Sequence, residues 1–237
     1  MSHLTHTKLS PIEKTCAMAS AATATRRLAA VLREHGVARR YRRGEALFSE
    51  GDIADRVFML ESGWVIVRSA AVDGDDVVLG LRGPGEVLGE LSVLDGKPRS
   101  ATAIAVADLE AVVTPAEHLT RTLGADPEAN RELLVVIADR LREADRRRLE
   151  FATKDALGRI ATRLLELADR FGEPASDGVH IDLPLHQEDL ASWCGASRES
   201  TVRGMRTLRR LGIVTTARRA VVIHDEDGLR RAARGVV

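Results

Sequence analysis

Glu90 and Arg99 stand nine positions apart in "GELSVLDGKPRSATA", one following Gly89, the other followed by Ser100 and Ala101, with an Asp-Gly-Lys-Pro turn between them. A guanidinium fork, a hydroxyl and the backbone N–H groups that begin at Gly89 supply donors for a single phosphate anion. Glu90 is an acceptor of opposite sign, so it needs a hydroxyl or a cation. A sugar hydroxyl beside a phosphate meets both demands, and a cyclic nucleotide carries that combination. The alternative is an ion pair between Glu90 and Arg99 across a turn, with no ligand.

A second constellation lies in "GASRESTVRGMRTLRRLGI". Ser197 is a good helix N-cap. The helix it opens places Arg198, Glu199 and Arg203 on its exposed side, and Val202, Met205 and Leu208 are expected to return to the core. Residues 198–219 hold seven arginines against Glu199 alone, although the whole chain balances 35 basic against 35 acidic residues. Arginine matches guanine O6 and N7, and glutamate accepts from cytosine N4, so this face can read base pairs in a major groove. Arg218 and Arg219, in the turn that follows, are placed to touch phosphates and so to position rather than to specify.

These residues need a scaffold. Residues 1–20 are polar and without periodicity and are expected to form a flexible extension. An entry helix is expected over 23–36, with Gly36 as its stop. From residue 39 to 113, short β-type runs alternate with glycines, which predicts a small antiparallel barrel or sandwich. The spacing then predicts one long helix over 128–154, with Leu134, Ile137, Leu141, Ala144 and Phe151 as an apolar stripe suited to a twofold mate. "ALGRIATRLLELADRFG" reads as an amphipathic helix with Ile160, Leu164, Leu165 and Leu167 facing inward. A loop or hairpin, "GEPASDGVHID", comes next, and the remainder reads as a winged helix-turn-helix. The expected division is therefore 1–20, 21–127, 128–154 and 155–237, and the fold class is α+β.

Cys16 and Cys194 are far apart and no dense Cys/His cluster exists, so neither a structural zinc nor a four-cysteine cluster is expected, and no metal site is assigned. No run approaches the ~18 apolar residues of a membrane span, and the N-terminus lacks a signal peptide's apolar core. The expectation is a cytoplasmic protein with no membrane partner. No nucleophile–base motif appears, so no enzymatic activity and no catalytic residue are expected.

With its Gly-Glu-Leu and Pro-Arg-Ser-Ala, the first constellation resembles the phosphate-binding cassette of cyclic-nucleotide-binding domains. Together with "GRIATRLLELADRFG" and "GASRESTVRGM", it resembles the cyclic-AMP receptor protein (CRP/FNR) family of bacterial regulators over about residues 23–230. The resemblance implies a jelly-roll barrel, a dimerisation helix and a winged helix-turn-helix. Further, it implies a homodimer that binds a palindromic site in double-stranded DNA and works with RNA polymerase. Its effector would be a cyclic nucleotide, cyclic AMP or alternatively cyclic GMP, with no covalent cofactor. Glu90 would take the ribose 2′-hydroxyl, Arg99 and Ser100 the phosphate, while Gly89, Leu91 and Ala101 give backbone or shape.

Where the family's cyclic-AMP binders carry a Thr-Ser or Thr-Asn pair facing the purine, this chain has Ala144 and Asp145. A carboxylate suits the N1–H and N2–H₂ donors of guanine better than adenine; Asp145 pairing with Arg142 or Arg148 is the alternative. His186 and Thr201 also depart from the family pattern, the first predicting a weaker helix cap and the second softer packing. A nucleotide-independent regulator with a vestigial or repurposed pocket is the competing reading, and a redox or gas sensor on this scaffold is a third.

Overall fold

The computed structural model describes residues 25–70, 76–182, 185–217 and 220–237; the expected extension 1–20 and the wing arginines Arg218 and Arg219 lie outside them. Helix α1 (Arg26–His35) enters first, followed by strands β1 (Val37–Tyr41), β2 (Ala46–Phe48), β3 (Arg56–Ser62), β4 (Val65–Ala70), β5 (Asp76–Arg82) and β6 (Val87–Leu88). Then come helix α2 (Glu90–Asp95), strands β7 (Thr102–Ala105) and β8 (Leu109–Pro115), and helix α3 (Ala116–Ala125). The strands form two four-stranded antiparallel sheets, ordered β1-β8-β3-β6 and β2-β7-β4-β5. Tyr41, Phe58, Leu60 and Ala111 of one sheet meet Leu47, Val65 and Ala103 of the other. Alternation along each strand sends every second side chain into that layer, so the expected barrel is a flattened jelly roll.

The long helix α4 (Pro127–Thr153) begins where its signals stand: Pro127 takes the first position, and the Asp126 carboxylate accepts from the Glu128 and Ala129 N–H groups at 3.1 Å each. Glu132, on its first turns, accepts from the Arg27 and Leu28 N–H groups and so caps α1 from outside. The apolar stripe is split between two jobs. Ile137 packs on the protein's own barrel, whereas Leu134 and Leu141 are both 61 % exposed and Phe151 is also exposed.

Asp155 caps α5 (Ala156–Phe171) by accepting from the Gly158 N–H. After α5 the hairpin β9 (Gly172–Ala175) and β10 (Gly178–Asp182) leads to α6 (Gln187–Trp193), α7 (Arg198–Arg210), β11 (Val214–Ala217), β12 (Ala220–Ile223) and α8 (Glu226–Ala233). The wing is one sheet of order β11-β12-β10-β9 that takes in the hairpin. Leu165 is only partly buried, and the inward face of α5 is completed instead by Ala161 and Ala168.

One expected core position needs correction. Val202 is 44 % exposed; the buried seam of α7 is Thr201, Gly204 and Leu208. A Cβ on Gly204 would stand 2.6 Å from Ile160 Cδ1, so the helices meet at the small residues and Val202 is turned out. Thr201 donates its hydroxyl to the Ser197 carbonyl at 3.1 Å, which lets it be buried in an apolar position.

Candidate functional site

All six residues expected from the cassette, Gly89, Glu90, Leu91, Arg99, Ser100 and Ala101, line one cavity of about 150 Å³. Sequence places them in two short pieces, α2 with its leading glycine and the return into β7. The backbone of Arg99 fixes the second piece by exchanging bonds with the 51–52 turn, donating to the Asp52 carbonyl and accepting from the Gly51 N–H, each at 2.9 Å. Gly89 holds φ near +80°, and a Cβ there would sit 2.4 Å from an Arg99 Nη1. Only glycine meets both the conformation and the close approach.

Arg99 is 3 % exposed. Its guanidinium donates to the Gly89 carbonyl at 2.7 Å and to the Arg56 carbonyl, and it lies over the Phe48 ring, 4.6 Å from the centroid. Burial pulls this cation below its ordinary pKa, against the opposing pull of Asp55, Glu90 and Asp52. Among the described residues no carboxylate comes within ion-pair distance of Arg99, and its Nε has no hydrogen-bond partner. A buried cation so placed favours an anion.

Glu90 is fully buried. One carboxylate oxygen accepts from Arg140 of α4, which also donates to the Val87 carbonyl. The other oxygen is buried and has no partner among the described residues. Glu90 and Arg99 therefore do not form the simple pair that the sequence left open. Sequence reasoning missed Arg140, as well as Phe48 and Arg82, which line the same cavity. The available signal was a basic residue one helical turn before Ala144 on the strand-facing side of α4.

Asp145 is not among the cavity's lining residues. It is largely exposed and accepts from Arg148 at 3.3 Å, the i,i+3 contact that competed with a ligand role.

At the other end of the molecule Ser197 caps α7, its hydroxyl accepting from the Ser200 N–H at 3.1 Å. Arg198, Glu199 and Arg203 are exposed. Arg198 reaches Glu188 at 3.5 Å, and Arg203 donates to the Ser200 hydroxyl at 3.3 Å. These contacts are long and solvent-exposed, of the kind that contributes little to stability. The α6 terminus is held from its third residue, since the Asp189 carboxylate accepts from the His186 N–H at 3.1 Å and offsets the missing hydroxyl.

Burial pushes the Cys194 thiol up to about 12, which keeps it protonated and unreactive. Among the described residues there is no group of three or more His, Cys, Asp or Glu side chains that could hold a metal ion, and no helix is long and apolar enough to cross a membrane.

Known proteins match both ends of this arrangement. A family model described as a cyclic nucleotide-binding domain covers residues 38–126, and one described as a Crp-like helix-turn-helix domain covers residues 158–232. A CRP-like cAMP-activated global transcriptional regulator of Mycobacterium tuberculosis is 33 % identical, with 81 % of this chain and 86 % of that protein covered. The cyclic AMP receptor protein of Thermus thermophilus is 30 % identical, covering 84 % and 88 %. The crystal structure of a CRP-family transcriptional regulator from Thermus thermophilus superposes with a TM-score of 0.72 at 28 % identity, covering 82 % of this chain and 96 % of that one. With a jelly roll that carries the cassette, a long helix and a winged helix-turn-helix in one order, the chain belongs to the CRP/FNR family of DNA-binding transcription regulators.

Proposed function

We propose that the protein is a homodimer whose DNA binding is gated by a cyclic nucleotide seated between Glu90 and Arg99. One observation carries this reading: an unpartnered donor, Arg99 Nε, and an unpartnered acceptor, a Glu90 carboxylate oxygen, are buried around the same cavity. A phosphate and a neighbouring hydroxyl satisfy that pair together. Ser100 adds a hydroxyl, and Gly89, Leu91 and Ala101 supply backbone and shape. The relatives named for cyclic AMP make it the first effector to test.

At about 150 Å³ the cavity is smaller than the roughly 300 Å³ at which ordinary ligand pockets begin. A nucleotide therefore has to move Arg140 off Glu90, and the freed guanidinium can follow the phosphate. This couples occupancy to α4. Asp145 lies outside this cavity, so a purine contact through it is made by a part of the nucleotide that projects beyond the cavity.

The Arg140–Glu90 pair also favours a second reading, a regulator in which the arginine fills the place of an effector and no nucleotide is needed. Titration calorimetry with cyclic AMP and cyclic GMP separates the two. Saturable binding, one nucleotide per protomer, with tighter DNA binding in its presence, is the expected result. No heat from either nucleotide up to ~1 mM, a limit of about 4 kcal/mol in affinity, leaves the nucleotide-independent regulator.

The exposed Leu134, Leu141 and Phe151 on α4 support the dimer. A twofold seam brings like positions together, so Leu141→Glu sets two carboxylates face to face. The expected result, read by sedimentation equilibrium, is a dissociation constant raised on the order of 100-fold. An unchanged constant would place the interface elsewhere. A twofold dimer presents two α7 helices, and by the family likeness Arg198, Glu199 and Arg203 read each half of a palindrome, Arg218 and Arg219 hold phosphates, and RNA polymerase is the further partner.

A further inference from the structure

Val202, turned out of the core, lines a cavity of about 440 Å³ between the recognition helix α7 and the wing. One face of α7 supplies Arg198, Val202, Met205 and Arg209, which recur at spacings of four, three and four residues. Leu185, Leu190 and Val221, all buried, add apolar surface from the approach to α6, from α6 itself and from β12. The β11–β12 hairpin contributes Thr216, Ala217 and Ala220, and the two alanines leave the space that larger side chains would fill. This cavity falls within the range of small-ligand sites, about 300–1,000 Å³, which the cassette cavity does not reach.

Its charge is one-sided. Arg198 and Arg209 are cations, and among the described residues that line the cavity none is acidic. Arg209 donates to the Thr216 hydroxyl at 3.2 Å, and among the described residues no carboxylate comes within ion-pair distance of it. A guanidinium beside a hydroxyl is a donor pair suited to a carboxylate. From Arg209 the helix presents Met205 and then Val202, about 10 Å farther along its axis. An inorganic anion would leave that apolar lining unused, and a neutral hydrocarbon would leave Arg209 unused. A hydrocarbon body that carries one carboxylate uses both.

The far end of such a body lies on the base-reading side of α7. Arg198 shares the cavity with Val202, and Val202 is followed at once by Arg203. Occupant and duplex therefore need the same surface.

We propose that this cavity binds an amphipathic monocarboxylate, its carboxylate on Arg209 and Thr216 and its hydrocarbon along Met205 and Val202, and that the occupied domain is excluded from DNA. The site lies in the DNA-binding half and does not depend on the nucleotide reading given above.

The test uses the full chain without nucleotide, with decanoate as the probe, decanol as the uncharged control and acetate as the control without a body. Two methionines report directly, since Met205 lines the cavity and Met59 is fully buried in the barrel. With ¹³C-labelled methionine methyls, decanoate is expected to shift the Met205 signal saturably, with a dissociation constant on the order of 100 µM, and to leave Met59 in place. Arg209→Gln and the exchange of decanoate for decanol remove the same charge contact, and each should weaken binding about 10- to 100-fold; acetate should leave Met205 unmoved. Ala220→Phe puts a ring into the cavity and should abolish the Met205 shift. Decanoate at about ten times its dissociation constant should weaken DNA binding about 10-fold, the factor that mutual exclusion sets, and should leave the DNA affinity of the Ala220→Phe chain as it is. No Met205 shift up to ~1 mM, equal binding of decanoate and decanol, or undiminished binding by Arg209→Gln or by a folded Ala220→Phe chain overturns the site. A Met205 shift with unaltered DNA affinity overturns the exclusion.

Discussion

Arg99→Ala is expected to weaken cyclic-nucleotide binding by about 30- to 5,000-fold. The side chain is the only guanidinium rooted in the cassette itself, it is 3 % exposed, and among the described residues no carboxylate comes within ion-pair distance of it. Truncating one partner of a buried, hydrogen-bonded charge pair costs about 2–5 kcal/mol, and each 1.4 kcal/mol is tenfold. Arg99 also satisfies the Gly89 and Arg56 carbonyls, so its loss loosens the barrel around the ligand. Glu90→Gln separates the two effects. It keeps the volume and removes the charge, and should weaken binding without touching those carbonyls. Calorimetry on both variants, beside thermal melting, reads the outcome. An Arg99→Ala protein that melts like the wild type and binds nucleotide equally well would remove the phosphate from this position.

Arg163→Ala is expected to lose about 3–5 kcal/mol of stability. Arg163 on α5 is 2 % exposed and holds Glu150, near the end of α4, as well as Glu166 at 2.7 Å. This joins two helices across the short Lys154–Asp155 joint. Without the arginine, Glu150 keeps a carboxylate that is 7 % exposed, with Arg146 at 3.9 Å its remaining cation. For a chain of this size each kcal/mol is worth roughly 2–4 °C, so the melting temperature should fall by about 10 °C. The double variant Arg163→Met with Glu150→Leu should recover most of the loss, because two matched apolar groups do not leave a charge behind. Circular dichroism melting of the four members of that cycle measures it. If the double variant is as unstable as the single, the loss is one of packing against Trp193, whose ring lies 5.5 Å from the Arg163 guanidinium.

The local parts of the site were legible because their signals are local. Gly89, Glu90, Arg99 and Ser100 sit within a dozen residues and need only one turn and one short helix to meet. Ser197 announces the start of α7 through its own cap chemistry, whereas the Asp126-Pro127 signal for α4 went unused in placing that start at 128. Arg140 was not legible, since nothing in sequence says which carboxylate 50 residues away it will meet. Val202 was misplaced because an apolar residue is a stronger core signal than a glycine. The helices approach so closely at Gly204 that small residues take the buried seam. Helices α3 and α8 went unread for a related reason: each is short, and in α8 the inward Leu229, Ala232 and Ala233 are interleaved with Glu226, Asp227, Arg230 and Arg231. The wing's hairpin partner was half visible in "GEPASDGVHID", where the pairing with β12 depends on a strand some 40 residues on.

The hydroxyl of Ser192 on α6, which donates to the Asp76 carbonyl at 2.8 Å and accepts from the Val78 N–H at 2.9 Å on the outer edge of β5, decides where this chain can be divided. Cutting at the Lys154–Asp155 joint, the obvious place between the two family segments, strips the cover from β5 and leaves the Asp76 carbonyl and Val78 amide open on a strand that also shows Val77 and Leu79 to solvent. An uncovered apolar margin of this kind recruits strands from other molecules. The sensory half made alone therefore carries a seed for aggregation that the intact polypeptide conceals with a single serine.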